Sequence, residues 1–256
     1  MPEQGSLPAL GSLLHGLGYT TGAVVFWLAT RLSRHVMPQG RERLIILGAA
    51  IIGGMLGSKL TQWLALGWPF GNDPLAILIP TAGGRTVLGG ILCGWIAVEI
   101  AKSRLGIRYS MGLPFALALP AGEAVGRIGC WFNGCCGGRE TALPWAVQGT
   151  AGMVHPSQFY MFAGLLLLLG ALLWLRSRIA AEGDLFLYYL AGYGLLRFLT
   201  EFTRSQDALI LGLSLAQWIC LLFIIAGSSG LLVRQRDRRD NEGMPPQSAA
   251  REQCDG

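Results

Sequence analysis

Seven apolar stretches, each close to 20 residues, run through this chain at roughly 10–30, 44–66, 83–101, 110–128, 156–175, 184–203 and 209–233. A helix of about 20 residues rises far enough to cross the roughly 30 Å hydrocarbon core of a bilayer. In hydrocarbon every backbone N–H and C=O must be satisfied internally, which leaves helices as the simplest solution. The chain therefore reads as an all-α polytopic membrane protein with about seven transmembrane helices. Composition agrees: 52% of residues are hydrophobic and 14% charged, against about 25% charged in soluble domains. Pro114 and Pro120 interrupt the fourth stretch, which membrane helices tolerate when neighbours re-satisfy the backbone.

The basic residues set the orientation. Arg31, Arg34, Arg41 and Arg43 fall in the first loop, and Lys102, Arg104 and Arg108 in the third. Arg176 and Arg178 fall in the fifth, and Arg234, Arg236, Arg238, Arg239 and Arg251 in the tail. The positive-inside rule puts these segments in the cytoplasm, so the N-terminus lies outside and the C-terminus inside. This placement accounts for the net charge of +5 without nucleic acid as a partner. No cationic segment and small-residue cleavage site precede the first span, so no removable signal peptide is expected. Residues 1–233 form the membrane domain. Residues 234–256 form a basic cytoplasmic tail, expected to be disordered with its arginines near anionic lipid. Most of the 37 glycines read as packing residues. Gly53 and Gly57, or Gly122 and Gly126, are spaced to let two helices approach closely.

Charges inside a span are costly and point to function. Arg197 stands 13 residues into a span that starts inside, roughly 20 Å up at 1.5 Å per residue. The same reckoning brings His15, Tyr19, Lys59, Glu123, Arg127, Asn133, His155, Gln158, Tyr193, Glu201 and Arg204 to the outer leaflet. Tyr193, Arg197, Glu201 and Arg204 share one helix face, and Glu123 and Arg127 are spaced to pair. The picture is a polar cavity at the headgroup level. Two arginines there favour a phosphate held by forked donors. "HPSQFY" adds a helix start, with Pro156 at the first helical position and free N–H groups for an anion.

"GRIGCWFNGCCGGRE", Gly126 to Glu140, closes the fourth stretch on three cysteines. Cys130, Cys135 and Cys136 have three readings. They can form a loop-bracing disulfide from Cys130 to Cys135 or Cys136, in keeping with an oxidising outer side. They can form a metal site with His155, although the spacing matches no standard zinc pattern. One of them can be a reactive thiol beside Arg127. Cys93 and Cys220 read as packing residues.

"GRIGCWFNGCCGG", "HPSQFY", "YGLLRFLTEFTR" and "SLAQW" resemble the signature segments of the prolipoprotein diacylglyceryl transferases, and "GGMLGSKL" and "LGGILCG" resemble its glycine-rich segments. The matches run in family order over nearly the whole chain. The resemblance implies a bacterial plasma (inner) membrane enzyme, multi-pass, that moves the diacylglyceryl group of phosphatidylglycerol onto the lipobox cysteine thiol of a prolipoprotein. It implies no cofactor and no metal. Arg127 and Arg197 match the family's two essential arginines, which would hold the headgroup phosphate and stabilise charge as it departs. Tyr193 matches the tyrosine before the second arginine, and Asn133, Gly134 and Gly138 match the first signature. Arg127, Asn133, Gly134, Gly138, Gln158, Arg197 and Glu201 make the expected substrate-binding set, and Tyr193 joins the two arginines in the expected catalytic set. Four positions depart from the family: Leu88 replaces a histidine, Cys130 an asparagine, His15 a tyrosine and Cys135 an acidic residue.

Thiol alkylation needs the acceptor as thiolate, so a proton must be accepted. His155 is the preferred acceptor, His15 the second and Glu123 the third, although pairing with Arg127 would hold Glu123 ionised. The arginines alone could also lower a bound thiol's pKa. Two other functions remain: a transferase of the same family with a different acceptor, and a non-enzymatic protein that binds or flips anionic lipid. Glu99 is the main charge toward the inner end of a span, which argues for a one-sided site rather than a path.

Overall fold

A computed structural model describes residues 7–33, 38–66, 86–149, 152–179, 183–204 and 209–242. Within them lie seven helices: α1 Pro8–Leu32, α2 Arg41–Leu66, α3 Val87–Arg104, α4 Gly112–Phe132, α5 Ser157–Arg176, α6 Asp184–Glu201 and α7 Leu215–Glu242. Two short hairpins join them, β1 Val147–Gln148 with β2 Met153–Val154 and β3 Leu209–Ile210 with β4 Leu213–Ser214. Four helices are long and apolar enough to cross a membrane, over Pro8–Leu32, Arg41–Leu64, Ser157–Arg176 and Leu215–Asp240. Their surfaces expose Leu13, Leu44, Ile51, Leu167, Ile225 and Leu232, side chains that hydrocarbon rather than water would solvate. This is a helical membrane protein.

α4 and α6 stand at its centre, where Leu113, Leu117, Leu185, Tyr189, Leu190 and Tyr193 join Met161 and Leu165 of α5 and Phe223 of α7 in one core. α1 lies along α4, α2 along α3, and α7 along α6. Small residues permit these approaches, because lipid leaves van der Waals contact as the main attraction between helices. A Cβ added at Gly18 would stand 2.8 Å from the Gly122 carbonyl oxygen, and one at Gly57 2.4 Å from that of Gly89. The paired-glycine segments thus serve the packing role that their spacing predicts.

One end of the bundle carries a cap. Gly138 N–H donates to the His155 carbonyl, His155 N–H to that of Arg139, and Arg139 N–H to that of Thr203. An isolated bridge joins Gly138 to Arg204, and Ser157 Oγ lies 2.8 Å from Thr203 Oγ1. The cap therefore stitches the α4–α5 connection to the C-terminus of α6.

The structure corrects two boundaries. Residues 209–214, expected to open the seventh span, form the β3–β4 hairpin, which turns on Leu211 and Gly212, both at positive φ. The tail, expected to be disordered from 234, continues α7 to Glu242. Arg234 Nη1 donates to Asp184 Oδ1 at 2.9 Å and Arg238 to Asp184 Oδ2, so α6 holds the extra turns. The tail beyond 242, the start of the third span at 83–85, and His35 lie outside the described residues. Pro120 sits within a continuous α4, and Pro114 in its first turn, where a missing N–H costs little.

Candidate active site

α4 and α6 each carry an arginine one turn from a glutamate. Arg127 Nε donates to Glu123 Oε1 at 3.1 Å, and its Nη2 donates to the same oxygen. Arg197 pairs with Glu201 on α6, and Arg204 Nε stands 3.8 Å from the same carboxylate. Tyr193 OH crosses between the helices to donate to Glu123 Oε1 at 3.2 Å. Ser214 Oγ donates to Glu201 Oε1 at 3.2 Å. Arg127 and Arg197 are each 8% exposed and Tyr193 not at all. Arg204, just past α6, has its pKa lowered by burial and then by the neighbouring Arg197 charge. Three cations and two carboxylates thus share one buried region, an arrangement that favours an anion. Two buried acceptors, Glu123 Oε2 and Gln158 Oε1, have no hydrogen-bond partner among the described residues.

α4 ends in a compact turn. Cys135 N–H donates to the Cys130 carbonyl and Gly134 N–H to that of Trp131, with Gly134 at φ +67. This is the double closure of a Schellman motif, which needs a left-handed residue just past the helix. It folds the chain back over the last turn and brings the Sγ atoms of Cys130, Cys135 and Cys136 within 4.8 Å of one another. All three are free thiols, so the disulfide, one of the three readings of the sequence, is not formed here. Cys136, also left-handed at φ +64, has its pKa pulled down by the Cys130 and Cys135 thiols and then by the Arg204 and Arg127 charges. His15, rather than His155, stands beside this cluster. Its Nε2 is 3.5 Å from Cys130 Sγ, and its Nδ1 is 2.9 Å from the Gly11 carbonyl oxygen and 3.1 Å from Asn133 Nδ2.

The other expected residues take varied places. Gln158 Nε2 donates to the Cys135 carbonyl at 2.8 Å, tying α5 to the turn. His155 faces Tyr160, with Nδ1 3.5 Å from its hydroxyl. Gly138 is required by close approach, since a Cβ there would stand 2.5 Å from the His155 Cβ. Pro156 is the N-cap of α5 rather than its first residue, and Ser157 N–H is already bonded to the His155 carbonyl. Tyr19, expected in the cavity, is 69% exposed on the outer face of α1. Lys59 is buried on α2, whose main partner is α3. Leu88, where the family has a histidine, is part of the apolar core.

Sequence reasoning left Ser214 and Gln217 without a role. Gln217 Oε1 accepts from Ser214 N–H at 2.9 Å, and Ser214 Oγ accepts from Gln217 N–H at 3.2 Å. The S-x-x-Q spacing of a capping box was the available signal. The same serine hydroxyl reaches Glu201. A cavity of about 590 Å³ lies away from Arg127 and Arg197, lined by Ile91, Trp95, Phe115, Leu119 and Phe186 together with Lys102 and Arg108. Leu119 and Phe115 lie one and two turns from Glu123 along α4.

Fold and site together define a helical membrane protein with a buried, arginine-rich site beneath a cap at one end of the bundle. The family model for prolipoprotein diacylglyceryl transferase matches residues 7–233, and the chain belongs to that family. It is 38% identical over 195 residues to the phosphatidylglycerol–prolipoprotein diacylglyceryl transferase of Polynucleobacter asymbioticus, covering 71% of this chain and 74% of that one. It is 34% identical over 253 residues to the Methylobacillus flagellatus protein of the same name, covering 90% and 95%. It is 35% identical over 242 residues to the Aromatoleum aromaticum protein of that name, covering 87% and 90%.

Proposed function

We propose that this protein transfers the diacylglyceryl group of phosphatidylglycerol to the lipobox cysteine of prolipoproteins at the outer leaflet of a bacterial plasma membrane. Family membership supports the reaction. The observation that carries the site is the pair of buried arginine–glutamate couples on α4 and α6, cross-linked by Tyr193 and Glu123. In this reading all seven helices span, with the N-terminus outside and the cap facing the periplasm. Residues 1–233 form the enzyme and the remaining residues a basic cytoplasmic tail.

The headgroup phosphate of phosphatidylglycerol sits between Arg127 and Arg197. Arg127 spends Nε and Nη2 on Glu123, which leaves Nη1 for a phosphate oxygen. Tyr193 holds Glu123 in place, so Arg127 is aimed before substrate arrives. Asn133, Gly134, Gly138, Gln158 and Glu201 shape the pocket around the headgroup. The acyl chains descend α4 past Leu119 and Phe115 into the apolar cavity. The acceptor sulfur attacks the glyceryl carbon that bears the phosphate. A C–S bond forms, the C–O bond breaks, and glycerol phosphate leaves with the bonding electrons, its charge stabilised by the arginines. Arg127 and Tyr193 hold Glu123 by Oε1 alone, so its Oε2 keeps it the third candidate for the base. His155 and His15 are the first two candidates for taking the thiol proton, one in the cap and the other beside Asn133.

The test uses membranes that lack the host transferase. Phosphatidylglycerol and a lipobox peptide are supplied, and the peptide mass is followed with wild type, Arg127→Ala and Arg197→Ala. A diacylglyceryl gain in wild type that both variants lose is the expected result, and it would show that Leu88 is compatible with the reaction. Arginine-dependent binding of phosphatidylglycerol without mass gain would move the protein to another acceptor or to lipid binding alone.

A further inference from the structure

The three thiols of the turn that ends α4 have no part in the transfer step described above. Their geometry nonetheless needs an explanation. The Schellman closure at Gly134 returns Cys135 over Cys130, and Cys136 is held in a left-handed conformation that strains a residue with a Cβ. Both features aim sulfur at sulfur. The result is three Sγ atoms within 4.8 Å of one another, and none is bonded to another. Two thiolates on a tetrahedral zinc, each about 2.3 Å from the metal, are separated by about 3.8 Å.

We propose that Cys130, Cys135 and Cys136 form a three-thiolate site for a thiophilic divalent cation, zinc being the natural occupant. His15 Nε2 stands 3.5 Å from Cys130 Sγ, and it is free to be a further donor only where His155 takes the thiol proton. A sulfur and a nitrogen ligand on one tetrahedral zinc lie about 3.5 Å apart. Cys135 is exposed, which gives an ion a route in. The spacing C-x4-C-C escapes the usual zinc patterns because a helix terminus, rather than a paired knuckle, brings the sulfurs together.

The site stands apart from the transferase reading, since metal stoichiometry reports on it whether or not transfer occurs. The full chain would be purified in phosphatidylglycerol-containing nanodiscs after zinc supplementation, and its metal content measured. About one zinc per chain is expected for wild type and Cys93→Ser, and less than about a tenth of that for Cys135→Ser and Cys136→Ser. Loading the chelated wild-type protein with cobalt should give a thiolate-to-cobalt charge-transfer band, and zinc should slow maleimide labelling at Cys135. These two readings need no variant and stand even if the serine forms fail to fold. A disulfide within the cluster in freshly isolated protein, three alkylatable thiols with no bound metal, or zinc undiminished in both variants would each overturn the proposal.

Discussion

Helix α6 carries an arginine–carboxylate cluster at each end, and the two are built differently. Near its N-terminus Asp184 is nearly buried, but the side chains of its partners Arg234 and Arg238 are 41% and 38% exposed. Toward its C-terminus the side chains of Arg197 and Glu201, and of Arg127 and Glu123 across on α4, are all 9–10% exposed. The first cluster behaves as a staple. Its cations keep most of their water, so it costs little to assemble and contributes little, on the order of 1 kcal/mol or less. The second has taken four charges out of solvent, where attraction between partners often fails to repay the desolvation. A protein that needed only to hold α4 against α6 could use leucines. Under the proposed function, the contrast separates an end that fastens the fold from an end that does chemistry.

The sharpest way to break that contrast is to remove each arginine of the buried cluster in turn. Arg197→Ala and Arg127→Ala should each lower kcat/KM for lipobox-peptide modification by about 10²–10³ or more, as loss of a preorganised donor to developing charge does elsewhere. A fall of less than tenfold in both would place the phosphate clamp somewhere else. Next in size is the proton acceptor. Whichever of His155→Ala and His15→Ala removes it should lower kcat by about 10², while the other stays within a few-fold. Equal, small effects would leave thiol ionisation to the arginines. Tyr193→Phe deletes a single hydrogen bond to Glu123 and should cost about five- to tenfold in kcat, read with the melting temperature to separate positioning from stability. The smallest effect belongs to the other end. Asp184→Asn should leave transfer within about twofold and lower stability by no more than about 1 kcal/mol, because its arginines remain solvated. Loss of activity there on the scale of Arg197→Ala would erase the distinction between the clusters.

Much of the helical layout was legible because an apolar window of spanning length depends only on neighbouring residues. The errors fall where distant residues decide. The turns of α7 beyond Val233 look like a polar tail in isolation, and only Asp184, 50 positions before Arg234, shows why they stay helical. The β3–β4 hairpin was hidden because 209–215 is as apolar as the span that follows. The site was legible where helical spacing governs: the Glu123–Arg127 and Arg197–Glu201 couples follow from i, i+4 alone. Tyr19 was misplaced because depth along α1 is readable from sequence and azimuth is not. His15, at a similar depth, turns to α4 and meets Asn133, whereas Tyr19 faces outward.

Each arginine at the centre already holds a counter-ion from its own helix, one turn away. In the proposed function the carboxylates stay where they are, and the phosphate adds to the resting pair: Glu123, fixed by Tyr193, keeps Arg127 aimed with Nη1 to spare. Such a site is less an empty positive pocket than a cocked clamp, whose arginines gave up their water when the chain folded. Release of glycerol phosphate would return each arginine to the same resting pair, already set for the next lipid.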